Sequence, residues 1–193
     1  MTEHVKGQDF RGFVRGYQHT AFRLEVRDRY NEPGEAEPLQ RFLAGEPIGG
    51  WYEDWEELQR RWTAEGKRMS RVRIVTEPHT DYTRFGLLLA RLSVAAGEDI
   101  RYLPRDQAKD LELPDYDFWL IDSTRVGILR FSDDDVLLGA EIHDDPVLVI
   151  RHCYYRDVAW HYAIPVRGVR RFLGVEFSAG ARSARSSAPR VAS

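Results

Sequence analysis

The chain has 193 residues, 42% hydrophobic and 31% charged, with a formal net charge of −3. That size and composition predict one soluble globular domain, or one domain with a small N-terminal addition, that folds without disulfides or metal. A single cysteine, Cys153, excludes a disulfide framework and a cysteine-built zinc site.

No run of about 18 apolar residues exists, so no transmembrane helix and no membrane partner is expected. The start, MTEHVKGQDF, has no apolar signal core, and a cytoplasmic location is the expectation. Charge is uneven. Residues 166–193 hold six arginines and one acid, which leaves an acidic body before them. Acidic surfaces bind nucleic acid poorly, because phosphate neutralisation dominates such affinity. Nucleic acid would have to be reached through the Arg-rich tail, and its ordinary reading is a disordered basic end over 178–193.

In chain order, Phe10, Phe13, Val14 and Tyr17 predict a short helix over 9–17. The stretch TAFRLEVR, from Thr20, alternates and predicts a half-buried strand. NEPG at 31–34 is a turn signal. Leu39, Phe42 and Leu43 mark a second helix over 35–44, stopped by Gly45. Trp51, Trp55, Leu58 and Trp62 recur at helical spacing before Gly66, and the plainer reading of these tryptophans is packing anchors rather than a ligand platform. A strand follows at 71–75. A helix capped by Thr80 or Asp81 and closed by Gly97 comes next, then a strand at 99–103. The two strands with their connecting helix predict a right-handed crossover and a parallel pair. A helical turn is expected over 105–111. Phe118–Ile121 and Val126–Phe131 form an expected hairpin around 122–125, with a third strand at 137–142. Asp145 and Pro146 open a last helix on which Val147, Ile150, Tyr154, Val158 and Tyr162 mark one face.

Catalytic signatures are sparse. There is no Gly-rich phosphate loop, no GxSxG and no HExxH. His79 with Asp81, and His143 with Asp144 and Asp145, supply two ligands at most, where a metal usually needs three or four. Both groupings also stand at helix starts, where Asp serves as cap. No metal and no cofactor is expected. Asp106, Asp110, Glu112, Asp115 and Asp117 surround the first hairpin strand and suggest either a carboxylate pair or solvated loop charge. Arg71, Arg73 and Arg101 alternate with apolar residues on neighbouring strands. Arg73 is expected to pair with Glu77 or Asp99, the alternative being an anion pocket aided by the amides that open the helix after His79.

The order of elements from 71 to 165, with FWLID-x3-VGIL and DVAWHYAIP, resembles half of a phospholipase-D-like domain. That resemblance implies a mixed α+β and α/β architecture: a central mixed sheet flanked by helices over 70–165, with a helix-strand-helix extension over 1–69. Active members carry His-x-Lys-x4-Asp, the His acting as nucleophile and the Lys binding phosphate. With Asp122 set as the motif's Asp, Asp115 falls at the His position and Asp117 at the Lys position, so no catalytic residue is carried over.

AFRLE (21–25), RVRIV (71–75), TDYTRF (80–85), GEDIRYL (97–103) and LPDYDFWLID (113–122) are similar to an actinobacterial domain-of-unknown-function family. Its members commonly sit beside Xre-type helix-turn-helix regulators and small acidic proteins. That resemblance implies a regulatory accessory role; with the degenerate motif and the acidic body, the expectation is a non-enzymatic protein in transcription regulation that binds a helix-turn-helix regulator, and a homo-oligomer is a separate expectation. The alternative is an enzyme or sensor for a phosphate-containing or nucleotide ligand. Arg73, His79, Asp81, Arg84, Asp115, Asp117 and Asp122 are the candidate ligand or partner surface.

Overall fold

A computed structural model describes residues 3–166. The segment 167–177, ambiguous in sequence, and the expected disordered tail lie outside the described residues. The elements are β1 (Glu3–Val5), α1 (Gly7–Arg15), β2 (Thr20–Glu25), α2 (Ala36–Leu43), α3 (Glu53–Ala64), β3 (Arg68–Val75), α4 (Asp81–Ala95), β4 (Asp99–Pro104), α5 (Arg105–Ala108), β5 (Phe118–Ile121), β6 (Arg125–Phe131), β7 (Leu137–His143), α6 (Pro146–Tyr162) and β8 (Ile164–Pro165). Among the described residues no helix is long and apolar enough to cross a membrane.

The strands form one mixed sheet in the order β1-β7-β6-β5-β2-β3-β4-β8. β2, β3 and β4 run parallel, as the crossover through α4 requires, and the remaining pairs are antiparallel. β2 lies between β5 and β3, so the sheet runs across the division at 69/70 and the N-terminal segment supplies a central strand. Two caps form as the sequence indicates. Thr80 Oγ1 accepts from Thr83 N at 3.1 Å and Asp145 Oδ1 accepts from Leu148 N at 2.9 Å.

Alternation along the strands divides the interior into two cores. Phe22, Leu24, Val72, Ile74, Phe118, Leu120 and Ile128 point to the face covered by α6, through Val149 and Ala159. On the opposite face Ala21, Met69, Trp119 and Ile121 meet Phe13 and Val14 of α1 and Trp62 of α3. Leu87 and Ala90 of α4 pack on Val75, Ile100 and Tyr102.

Two expectations need correction. The half-buried strand at 20–27 is covered on both sides: its polar row is interior, with Glu25 only 2% exposed. A central strand roofed by helices has no solvent face, whatever its alternation. On α6, four of the five stripe residues, Val147, Ile150, Tyr154 and Tyr162, point outward, at 69%, 68%, 57% and 52% exposure, and Val158 is partly buried, while Val149, His152 and Ala159 face the sheet. Charged and apolar residues are spread all round this helix, Arg151, Arg156 and Asp157 among them, so its periodicity does not select a face. The sheet selects it by accepting His152, whose ring stands edge-on to Phe118 at 4.7 Å.

Candidate functional site

The site begins with register. In-register parallel pairing sets Arg23 beside Arg71 and Glu25 beside Arg73. The next strand adds Ile100 opposite Arg71 and Tyr102 opposite Arg73. Because side chains alternate, this whole block projects to one face of the sheet, beneath α3 and α4. It floors a cavity of about 700 Å³ walled by aromatic side chains, among them Tyr30, Trp51, Trp55, Tyr82 and Phe85.

Glu25 is the hub. Its Oε1 lies 2.9 Å from Arg71 Nη1 and 3.1 Å from Arg23 Nε, and its Oε2 lies 2.6 Å from Arg73 Nε. The contacts through the two Nε atoms are ionic, without hydrogen-bond alignment. Arg71 also donates through Nε to Glu98 Oε1 at 3.0 Å. Burial alone would raise the Glu25 carboxyl, but Arg73, Arg23 and Arg71 together outweigh it and hold it at about 2. Burial likewise works against charge on Arg23, Arg71 and Arg73, and their carboxylate neighbours, Glu25 foremost for Arg23 and Arg73 and Glu98 for Arg71, keep all three cationic.

Gly86 suits this packing. A Cβ there would stand 2.3 Å from Arg73 Nη1, so a side chain at this position would have to displace the guanidinium from under α4.

Asp117 closes the other side of the floor. It accepts from Val26 N at 2.9 Å and from Tyr30 Oη at 2.6 Å, with Arg23 Nη2 at 3.5 Å. Burial pushes its carboxyl up from the usual range, and Arg23 only partly offsets that. Glu35, at the cavity wall, is also raised by burial, although Tyr82 Oη donates to it at 2.6 Å. Burial raises Tyr30 and Tyr82 as well, so their hydroxyls remain donors.

Of the seven candidate residues, the structure brings Arg73 and Asp117 into this network. Arg73 pairs with Glu25, not with Glu77 or Asp99. His79 sits in the β3–α4 loop with Nδ1 3.1 Å from the Thr76 carbonyl. Asp81 and Arg84 form an exposed ion pair on the first turn of α4. Asp115 is exposed. Asp122 lies at the far end of β5, where its carboxylate accepts from the backbone N–H of Gln18, His19 and Thr20 at 2.7–2.8 Å. Desolvation works against the charge, but those three amides together outweigh it and hold the carboxyl below the ordinary range. It ties the α1–β2 loop to the β5–β6 turn, where Asp122 and Ser123 both take left-handed φ.

Arg101, grouped in the sequence with Arg71 and Arg73, points to the opposite face, 3.8 Å from the centroid of the Trp160 ring. Among the described residues no three His, Cys, Asp or Glu side chains converge as a metal site would require. Arg23, Glu25 and Glu98 were not singled out by sequence reasoning. The available signal was the charged pair inside the apolar TAFRLE strand, with RVR on a second one.

At the three positions of the His-x-Lys-x4-Asp motif the chain thus has an exposed carboxylate, a buried one bonded to Tyr30 and Val26, and a third committed to three backbone amides. None supplies an imidazole for attack on phosphorus.

A search of solved structures finds similarity to Nuc from Salmonella typhimurium, a phospholipase D family member. The TM-score is 0.51 and the identity 11%, over 86% of this chain and 97% of that one. At that identity the likeness concerns the fold: a phospholipase-D-like mixed sheet flanked by helices. No curated protein matches the chain. Residues 8–170 match DUF6879, a domain of unknown function, and the chain belongs to that family.

Proposed function

We propose that the protein is a non-enzymatic regulatory accessory protein that acts by binding another protein through the outer face of α6. In this reading the partner is a helix-turn-helix transcriptional regulator, the neighbour that resemblance to the actinobacterial family implies. The observation that carries it is the concentration of exposed apolar surface. Val147, Ile150, Tyr154 and Tyr162 of α6 are four of the seven large hydrophobic side chains exposed among the described residues. Grouped apolar side chains of this kind mark interaction surfaces, whereas scattered ones need no explanation. The carboxylates at the former catalytic positions also favour binding over turnover.

Co-purification and calorimetry with the regulator encoded beside the protein test this. A complex at micromolar concentration is expected, and Ile150→Arg with Tyr154→Arg abolishes it while the circular dichroism spectrum is retained. No complex between two folded proteins, or a complex indifferent to both substitutions, refutes the reading.

The alternative, an enzyme or sensor for a phosphate-containing or nucleotide ligand, is favoured by one observation, the three arginines beneath the cavity. Among the described lining residues there is no histidine or cysteine, which supports a sensor over an enzyme.

A further inference from the structure

We propose that the cavity between the sheet and α3–α4 is a binding site for a small ligand joining a flat ring to one anionic group. The proposal deepens the sensor reading and does not depend on the α6 contact.

Size comes first. A cavity of about 700 Å³ lies in the range that encloses small molecules. Its walls are flat and apolar: Trp51 and Phe85 are near parallel, 29° apart with centroids 6.4 Å apart, and Tyr82 meets Phe85 edge-on. Such faces receive a planar ring. Trp55 lines the same wall.

The floor decides the charge. Arg71 and Arg73 are held close by Glu25 and Glu98. Arg23 is less committed. Its contacts are the longest of the three, 3.1 Å from Nε to Glu25 and 3.5 Å from Nη2 to Asp117, against 2.6–3.0 Å for Arg71 and Arg73. Its guanidinium lies 5.5 Å from the centroids of both Tyr30 and Trp119, so aromatic rings help hold it in place. Three guanidinium groups meet three carboxyls, Glu25, Glu98 and Asp117, but the Asp117 oxygens are already engaged by Val26 N at 2.9 Å and Tyr30 Oη at 2.6 Å, so Arg23 is the guanidinium with donor capacity to spare. The floor therefore accepts one further anionic group, and a polyphosphate would leave buried charge unpaired. Guanidinium recognises carboxylate and phosphate oxygens by the same paired donors, so either could carry the charge.

Calorimetric titration of the full chain separates these sources. The probes are indole-3-acetate and AMP, with the uncharged indole-3-acetamide and adenosine as counterparts. One of the anions is expected to bind at least about tenfold more tightly than its neutral counterpart, the difference a charge-assisted contact provides. Which anion binds tells carboxylate from phosphate. Arg23→Gln is expected to erase the preference. Trp51→Ala, at the exposed mouth, should weaken binding several-fold while leaving the unfolding midpoint unchanged, so the proposal remains refutable if the Arg23 variant does not fold. Neither anion binding at about 1 mM, a neutral counterpart binding equally well, or unchanged affinity in Trp51→Ala overturns it. Because the regulator is absent from this titration, failure here is distinct from failure of the α6 contact.

Discussion

Replacing Glu25 with Gln keeps the shape of the side chain and removes the one carboxylate that touches Arg23, Arg71 and Arg73 together. Its carboxyl stands at about 2 in the folded protein, against an ordinary 4.5. At about 1.36 kcal/mol per unit, that difference contributes roughly 3 kcal/mol at neutral pH, in keeping with the about 3–5 kcal/mol for breaking a buried ion pair. The sign follows from linkage. A carboxyl whose folded pKa is depressed stabilises above its unfolded value and loses that contribution as pH falls through the folded one. The cost of Glu25→Gln should therefore shrink from roughly 3 kcal/mol at pH 7 to about half of that at pH 3. Urea unfolding of both proteins across this range measures it. A cost below about 1 kcal/mol at pH 7, or one independent of pH, would refute the account of Glu25 as hub.

Gly86→Ala should destabilise by about 1–3 kcal/mol, because the added Cβ meets Arg73 Nη1 at 2.3 Å; an unchanged denaturation midpoint would contradict that packing. Asp122→Ala strips a carboxylate from three backbone amides and should cost about 2 kcal/mol or more, with faster hydrogen exchange at Gln18–Thr20 as its local signature. His152 donates through Nδ1 to the Leu148 carbonyl at 2.8 Å, leaving Nε2 to accept from Tyr116 Oη at 3.3 Å, and burial lowers its pKa. The unfolded chain therefore takes up a proton that the folded ring resists, and stability should decline as pH drops below about 6.5. His152→Phe should flatten that decline between pH 7 and 5, and an identical slope would count against it.

Much of the framework was legible in the sequence because its signals are local. Thr80 and Asp145 cap helices with their own side chains. The spacing from β3 through α4 to β4 encodes a parallel pair. The hairpin of β5 and β6 is written in two apolar runs and a turn whose Asp122 tolerates positive φ. The candidate site was less legible. Arg73 and Asp117 were singled out, but Arg73 was assigned to Glu77 or Asp99, and its carboxylate partner is Glu25 on the neighbouring strand β2, directly beside it in register. His79, Asp81 and Arg84 attracted notice as a helix opening, and the chain uses that opening for its own capping and a surface ion pair.

By itself the sequence marked most of the strands and helices, because φ/ψ preference, capping and periodicity act within a few residues; the short edge strands β1 and β8 carry no such local signal. The sequence also holds aspartates at 115, 117 and 122, the positions that the phospholipase-D-like resemblance aligns with His-x-Lys-x4-Asp. The tertiary structure alone decided which faces are buried. β2, whose alternation reads as half-exposed, is central and carries Arg23 and Glu25 into the interior. On α6 the sheet takes the His152 side and leaves Ile150 and Tyr154 outside. The reason is that burial depends on what lies across the interface. Arg71 and Glu25 are 46 residues apart in the chain and 2.9 Å apart in space, and only strand order and register bring them together.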